Sequence, residues 1–204
     1  MLSGLAAGCR QDGAIMSETV RTFIAIEMPP EVRAFLAACQ DRLKRTGADV
    51  RWVRTELIHL TLVFLGEVPV EMLGDLEAAV RGAAAGVAPM RPQPVGLGWF
   101  PPRGLPRVVW VGVQETTGGL VVLQKAIAGA SAAFAEKQED RRYEPHLTLG
   151  RVRGPKNARP LTAEVASMAA EKGPAFEAKD VVIFKSVLGP DGPAYTAVAR
   201  LGLS

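Results

Sequence analysis

Histidine is almost absent from this chain, with two in 204 residues, and cysteine is equally scarce. Cys9 and Cys39 form no CxxC pair and no metal-ligand spacing, which excludes a disulfide framework and fits a reducing compartment, so the cytoplasm is expected. No apolar run approaches the roughly 20 residues of a membrane-spanning helix. Neither HExxH nor another His-carboxylate cluster occurs, so no metal and no cofactor are expected; Glu56 and Glu144, the carboxylates nearest the histidines, read as solvent-facing charge. The opening stretch MLSGLAAGCRQDGAIM lacks a basic n-region and an export signal of sufficient length. Residues 1–20 are therefore expected to be a flexible extension outside the chemistry, with Met16 an alternative start, and 21–204 a single bilobal domain.

What remains is ordinary for a soluble protein: 48% hydrophobic and 22% charged residues, enough to bury a sizeable core. No obligate protein partner is evident, and a monomer is the default. The net charge of +3 is uneven, because residues 141–159 carry six basic side chains and one acidic. A basic segment of this kind points to an anionic ligand, or to scattered surface arginine.

Both histidines open the same tetrapeptide. HLTL stands at 59–62 and again at 146–149, 87 residues on. Matching three given residues after a histidine by chance has a probability on the order of 10⁻³ or less. Strand and helix signals place the two copies in matched surroundings. The first half gives a strand at 21–26, a helix from Pro30 to a stop at Gly47, a short strand VRWVR, the strand LIHLTLVFL and a helix to about 85. Strands QPVGLGWF and RVVWVGV follow, flanking a loop at 101–106. The second half gives a helix at about 118–138, the second HLTL strand, a helix at about 160–172, and strands near 176–187 and 194–202 joined by the turn GPDG. Each half thus runs helix, HLTL strand, helix, strand, strand. The repeat predicts an α+β fold of two pseudo-symmetric lobes, each an antiparallel sheet backed by helices, facing a central groove where the HLTL strands meet.

Alternation along a strand sets His59 and Thr61 on one face and Leu60 and Leu62 on the other; His146, Thr148, Leu147 and Leu149 repeat the split. Two imidazoles able to move protons near neutral pH, with two hydroxyl donors, then surround one small volume. That set suits phosphodiester hydrolysis without a metal or a nucleophilic side chain, and a strained cyclic 2′,3′-phosphate is a fitting substrate.

Paired H-h-T-h motifs, h being hydrophobic, are the signature of the 2H phosphoesterase superfamily. The stretches RTFIAIEMPPEV, RWVRTELIHLTLVFLGEV, GLGWFPPRGLPRVVWVGV, YEPHLTLGRVR and VVIFKSVLGPDGPAYTAVARLGL resemble successive blocks of bacterial RNA 2′,3′-cyclic phosphodiesterases, also named 2′-5′ RNA ligases. The resemblance covers about residues 21–204. It implies opening of 2′,3′-cyclic phosphate ends of RNA to 2′-phosphate without metal or cofactor, with His59 the proton donor and His146 the proton acceptor. Relatives carry a phosphate-contacting arginine five residues past the second histidine, which here is Arg151. Strict alternation points Arg151 to the wrong face; either a bulge at Gly150 turns it inward or it is a solvated strand-end arginine. The matching position in the first motif is Phe64.

Trp99, Phe100 and Tyr143 are expected either in the core or stacked on a base, with core the leading reading, and Arg51, Arg54, Arg103 and Arg107 as surface charge or contacts to an RNA backbone. Two readings stand beside hydrolysis: 2′-5′ ligation at the same site, and an RNA-end binding module without turnover. Two intact motifs favour catalysis, since Arg or Lys serves binding alone equally well.

Overall fold

The computed structural model describes residues 18–137, 142–190 and 192–204. Most of the expected 1–20 extension, including Cys9, lies outside them. The elements are β1 (Thr19–Glu27), α1 (Pro30–Lys44), β2 (Val50–Trp52), β3 (His59–Pro69), α2 (Leu73–Ala84), β4 (Gln93–Phe100), β5 (Val108–Gln114), α3 (Gly119–Ser131), β6 (His146–Val152), α4 (Ala158–Ser167), β7 (Asp180–Gly189) and β8 (Gly192–Gly202).

Local chemistry accounts for most boundaries. Pro30 opens α1 with Glu31 in the first turn, Arg42 and Lys44 close it, and Val32, Leu36, Cys39 and Leu43 form its buried stripe. β1 starts at Thr19, two residues before the strand inferred from sequence, because Thr19 and Val20 pair with Pro69 and Val68 of β3. The expected long helix at 118–138 is shorter: α3 stops at Ser131, a 3-10 turn follows at Ala132–Phe134, and 138 falls outside the described residues. The final strand pair begins at Asp180, not near 176, since Phe176 and Ala178 are buried in extended chain bridged to Met90 and Pro92.

The strands form one antiparallel sheet in the order β4-β5-β6-β3-β1-β7-β8, with β2 on β6. At its centre β3 and β6 touch at a single register pair, Leu60↔Leu147, so the sheet divides into two lobes that splay from that point. One lobe is β3, β1, β7 and β8 with α2 and α3 packed behind; the other is β2, β6, β5 and β4 with α1 and α4.

The lobes are not the two halves of the sequence. β4 and β5, which follow the first motif, lie in the sheet of the second, while β7 and β8, which follow the second motif, lie beside β1 and β3. The repeating unit is strand, helix, motif strand, helix, strand. The short β4–β5 connection explains the exchange, because pairing across so short a loop ties the last strand of the first unit to the first strand of the second. Leu60, Leu62, Leu147 and Leu149 are all buried under the sheet. At roughly 1.5–3 kcal/mol per buried leucine they anchor both motif strands.

Candidate active site

The second residue pair of each tetrapeptide fixes the first. With the leucines buried, His59, Thr61, His146 and Thr148 are left half-buried on the opposite face. The single antiparallel pair Leu60↔Leu147 sits between His59 and Thr61 on one strand and between His146 and Thr148 on the other. The outward faces of the two motifs therefore meet at this crossing. Among the described residues neither threonine hydroxyl has a hydrogen-bond partner.

The imidazoles are held alike. Nδ1 of His59 lies 2.8 Å from the Leu57 carbonyl oxygen, and Nδ1 of His146 lies 2.7 Å from that of Glu144. A carbonyl only accepts, so Nδ1 carries the hydrogen and donates, leaving Nε2 of each ring free to take or give a proton. Their packing differs. His59 stacks on Phe23 with ring centres 4.6 Å apart and meets the edge of Tyr195 at 5.3 Å. His146 is edge-on to Phe100 at 5.2 Å, with Trp110 at 6.3 Å. Burial lowers the His59 pKa below the ordinary imidazole value, opposed by the bond to Leu57 and by the charge of Glu27.

Glu27 joins the site without any signal in the sequence motifs. It pairs in register with His59 across β1 and β3, and it is ion-paired to Arg200, which also bonds Asp180 at 2.9 Å. Only the strand register, not the spacing of letters, brings Glu27 there.

A bulge places Arg151. β6 pairs Thr148 with Trp110 but Gly150 with Val109, so Leu149 is an extra residue. Beyond it the faces reverse: Gly150 points to the core, where a Cβ would stand 2.6 Å from Val50 Cγ1, and Arg151 shares the face of His146 and Thr148. The Leu149 carbonyl accepts from the Val53 N–H at 2.9 Å and from Gln40 Nε2 at 2.9 Å. β3 has the same bulge at Leu62, whose carbonyl accepts from Gln124 Nε2 at 3.4 Å. There the bulge exposes Phe64, and the Arg21 guanidinium lies 4.7 Å from its ring centre.

Thr61, Phe64, Trp99, Phe100, Arg107 and His146 are among the residues lining an open cavity of about 1290 Å³, while His59 lines a second, smaller one of about 100 Å³ with Glu27 and Tyr195. Trp110 reaches the larger cavity because Gly98 leaves room for its indole; a Cβ there would stand 2.3 Å from the ring. Tyr143 also borders the cavity, but its hydroxyl donates to the Thr61 carbonyl at 3.1 Å, so it ties one motif to the approach of the other. Arg54 and Arg103 are exposed and line neither cavity, and Arg51 on β2 lies beside Arg151.

A sheet folded about two facing His-x-Thr strands defines a two-histidine phosphoesterase. The chain belongs to the LigT like Phosphoesterase family, whose model matches it twice, over residues 26–110 and 111–195. It is 34% identical over 179 residues to the RNA 2′,3′-cyclic phosphodiesterase of Methanothermobacter thermautotrophicus, covering 87% of this chain and 95% of the relative. Against that of Thermus thermophilus it is 33% identical over 189 residues, 90% of each. The structure is similar to TT0787 of Thermus thermophilus, with TM-score 0.75 and 29% identity over 90% of this chain and 97% of that one. E. coli LigT complexed with 3′-AMP shares the fold at TM-score 0.71 and 22% identity, over 92% of this chain and 99% of that one. Among the described residues no helix is long and apolar enough to cross a membrane.

Proposed function

We propose that this chain hydrolyses 2′,3′-cyclic phosphate ends of RNA to 2′-phosphate by paired general acid–base catalysis, without a metal ion. The observation that carries the reading is the matched pair of Nδ1–carbonyl bonds, which leaves one free Nε2 on each motif strand where the two strands meet. Water attacks phosphorus while neutral His146 takes its proton at Nε2; the P–O3′ bond breaks while protonated His59 gives its Nε2 proton to O3′. The products are a 2′-phosphate and a 3′-hydroxyl. The division into donor and acceptor follows the family pattern. Thr61 and Thr148 donate to the phosphoryl oxygens as charge builds on them, and Arg151 pairs with the phosphate from the face the bulge gives it.

The experiment is to incubate chelator-treated protein with an oligoribonucleotide ending in a 2′,3′-cyclic phosphate and identify the product. A 2′-phosphate formed at undiminished rate is expected. A 3′-phosphate product, or activity restored only by a divalent cation, overturns the mechanism. Absence of turnover with retained RNA binding makes the groove a binding module.

A further inference from the structure

β2 pairs with β6 in the register Val50↔Val152, Arg51↔Arg151, Trp52↔Gly150. Directly opposed residues share a face, so the exposed side chains of Arg51 and Arg151 stand side by side, and like charges so placed repel. Among the described residues neither guanidinium meets a carboxylate. Nearby Arg153, by contrast, is held by Asp49 at 3.1 Å. Arg51 also leans toward the opposite lobe: its Nη2 lies 3.3 Å from where a Cβ on Gly192, at the tip of the β7–β8 hairpin, would stand. Arg151 lies near enough to Tyr195 for its charge to act on the phenol, and Tyr195 stands edge-on to His59. His59, Tyr195, Arg151 and Arg51 are thus linked by successive pairwise proximity.

We propose that Arg51, set against Arg151, is a subsite for a second phosphate, the phosphodiester on the 5′ side of the nucleotide that carries the cyclic phosphate. The site then prefers oligonucleotide ends to cyclic mononucleotides. This rests on the hydrolytic reading above. Arg151 attends the reacting phosphate, and the neighbouring guanidinium, otherwise in uncompensated repulsion, gains the next anion along the strand. A cyclic mononucleotide offers nothing to Arg51.

The test compares a nucleoside 2′,3′-cyclic phosphate, a dinucleotide with the same cyclic end, and that dinucleotide with a neutral methylphosphonate at the flanking linkage. The wild type is expected to prefer the charged dinucleotide by about tenfold in kcat/KM and to lose that preference with the methylphosphonate. Arg51→Gln should abolish the preference, its loss falling on the charged dinucleotide. Arg153→Gln, which removes an equal charge already held by Asp49, should keep it. Equal losses on all three substrates for Arg51→Gln, or indifference of the wild type to the methylphosphonate, overturns the subsite while leaving hydrolysis standing. Binding of a fluorescent oligoribonucleotide across a salt series separates the two claims: Arg51→Gln should reduce the slope of log K against log salt by about 0.7. An unchanged slope overturns the subsite whether or not substrate turns over; a reduced slope without turnover overturns hydrolysis alone.

Discussion

Gln40 and Leu149 lie 109 residues apart and are joined by a buried hydrogen bond of 2.9 Å, from the amide on α1 to the carbonyl of the residue at the β6 bulge. The same amide reaches the Val53 carbonyl at 2.7 Å. A buried side chain of one helix thus secures the irregularity that turns Arg151 toward the histidines.

Gln40→Leu keeps the volume and removes both donations. It should cost about 1–3 kcal/mol, because the Val53 carbonyl loses its Gln40 donor and Leu149 is left with the Val53 N–H alone, and lower kcat/KM on a cyclic phosphate through the loosened bulge. Gln124→Leu, acting on the longer bond at the opposite bulge, should cost less. Urea unfolding and steady-state kinetics on the same samples check both; wild-type values for Gln40→Leu would show that the bulge holds itself.

Thr61→Val and Thr148→Val preserve strand shape and delete a hydroxyl that has no partner within the described residues. Each should cost on the order of 2–4 kcal/mol of transition-state stabilisation, with melting temperature unchanged. Near-normal rates in both variants would reduce these residues to strand packing.

His59 gives two pH expectations. Its folded pKa is depressed by burial, so between the ordinary value of about 6.5 and the lower folded value the unfolded chain binds more protons. Stability from this group is complete above that window and declines as pH falls through it; His59→Gln should remove this component of a denaturation series. For catalysis, kcat/KM should follow a bell, and because His59 acts as the proton donor, loss of its proton sets the alkaline limb. Glu27 raises the His59 pKa, so Glu27→Gln should move that limb further to acid. A shift to alkaline pH contradicts the assignment.

The acid and base labels are separable by leaving group. Sulfur in place of the bridging 3′ oxygen leaves as a thiolate of pKa roughly 8.5 that needs little protonation. His59→Ala should recover much of its lost rate on that substrate, and His146→Ala should not, because water must be activated in either case. Rescue of His146→Ala instead would exchange the labels.

Cys39 is buried in α1, and burial, helped by Glu171, pushes its thiol up to about 11. In a Cys9→Ser background it should resist alkylation at pH 8 until denaturant is added. Rapid labelling of the folded protein would mean that α1 opens locally.

The motif faces were legible because a period of two fixes them: once Leu60, Leu62, Leu147 and Leu149 are inward, His59, Thr61, His146 and Thr148 are outward. The side of Arg151 hung on a single extra residue, and Gly150 is the sole letter that hints at it. Gln40 was hidden because a buried glutamine on a helix spells the same as a surface one. Glu27 and Arg200 meet across 173 residues, a distance set by register alone. The exchange of strands left no trace either, since the linear order of elements is the same whichever sheet a hairpin joins.

That exchange bears on how the two ends of the groove came to differ. A single strand, helix, motif, helix, strand unit has no complete sheet of its own, and it reaches one only against a second copy that returns the missing strand. Two identical copies would build one groove on a twofold axis, with the same side chain forced on both ends. Joining the units in one chain lifts that constraint, so the residue five places past one histidine can be Phe64, capped by Arg21, while its counterpart is Arg151 beside Arg51. One end thereby presents an apolar ring under a cation and the other a pair of guanidinium groups.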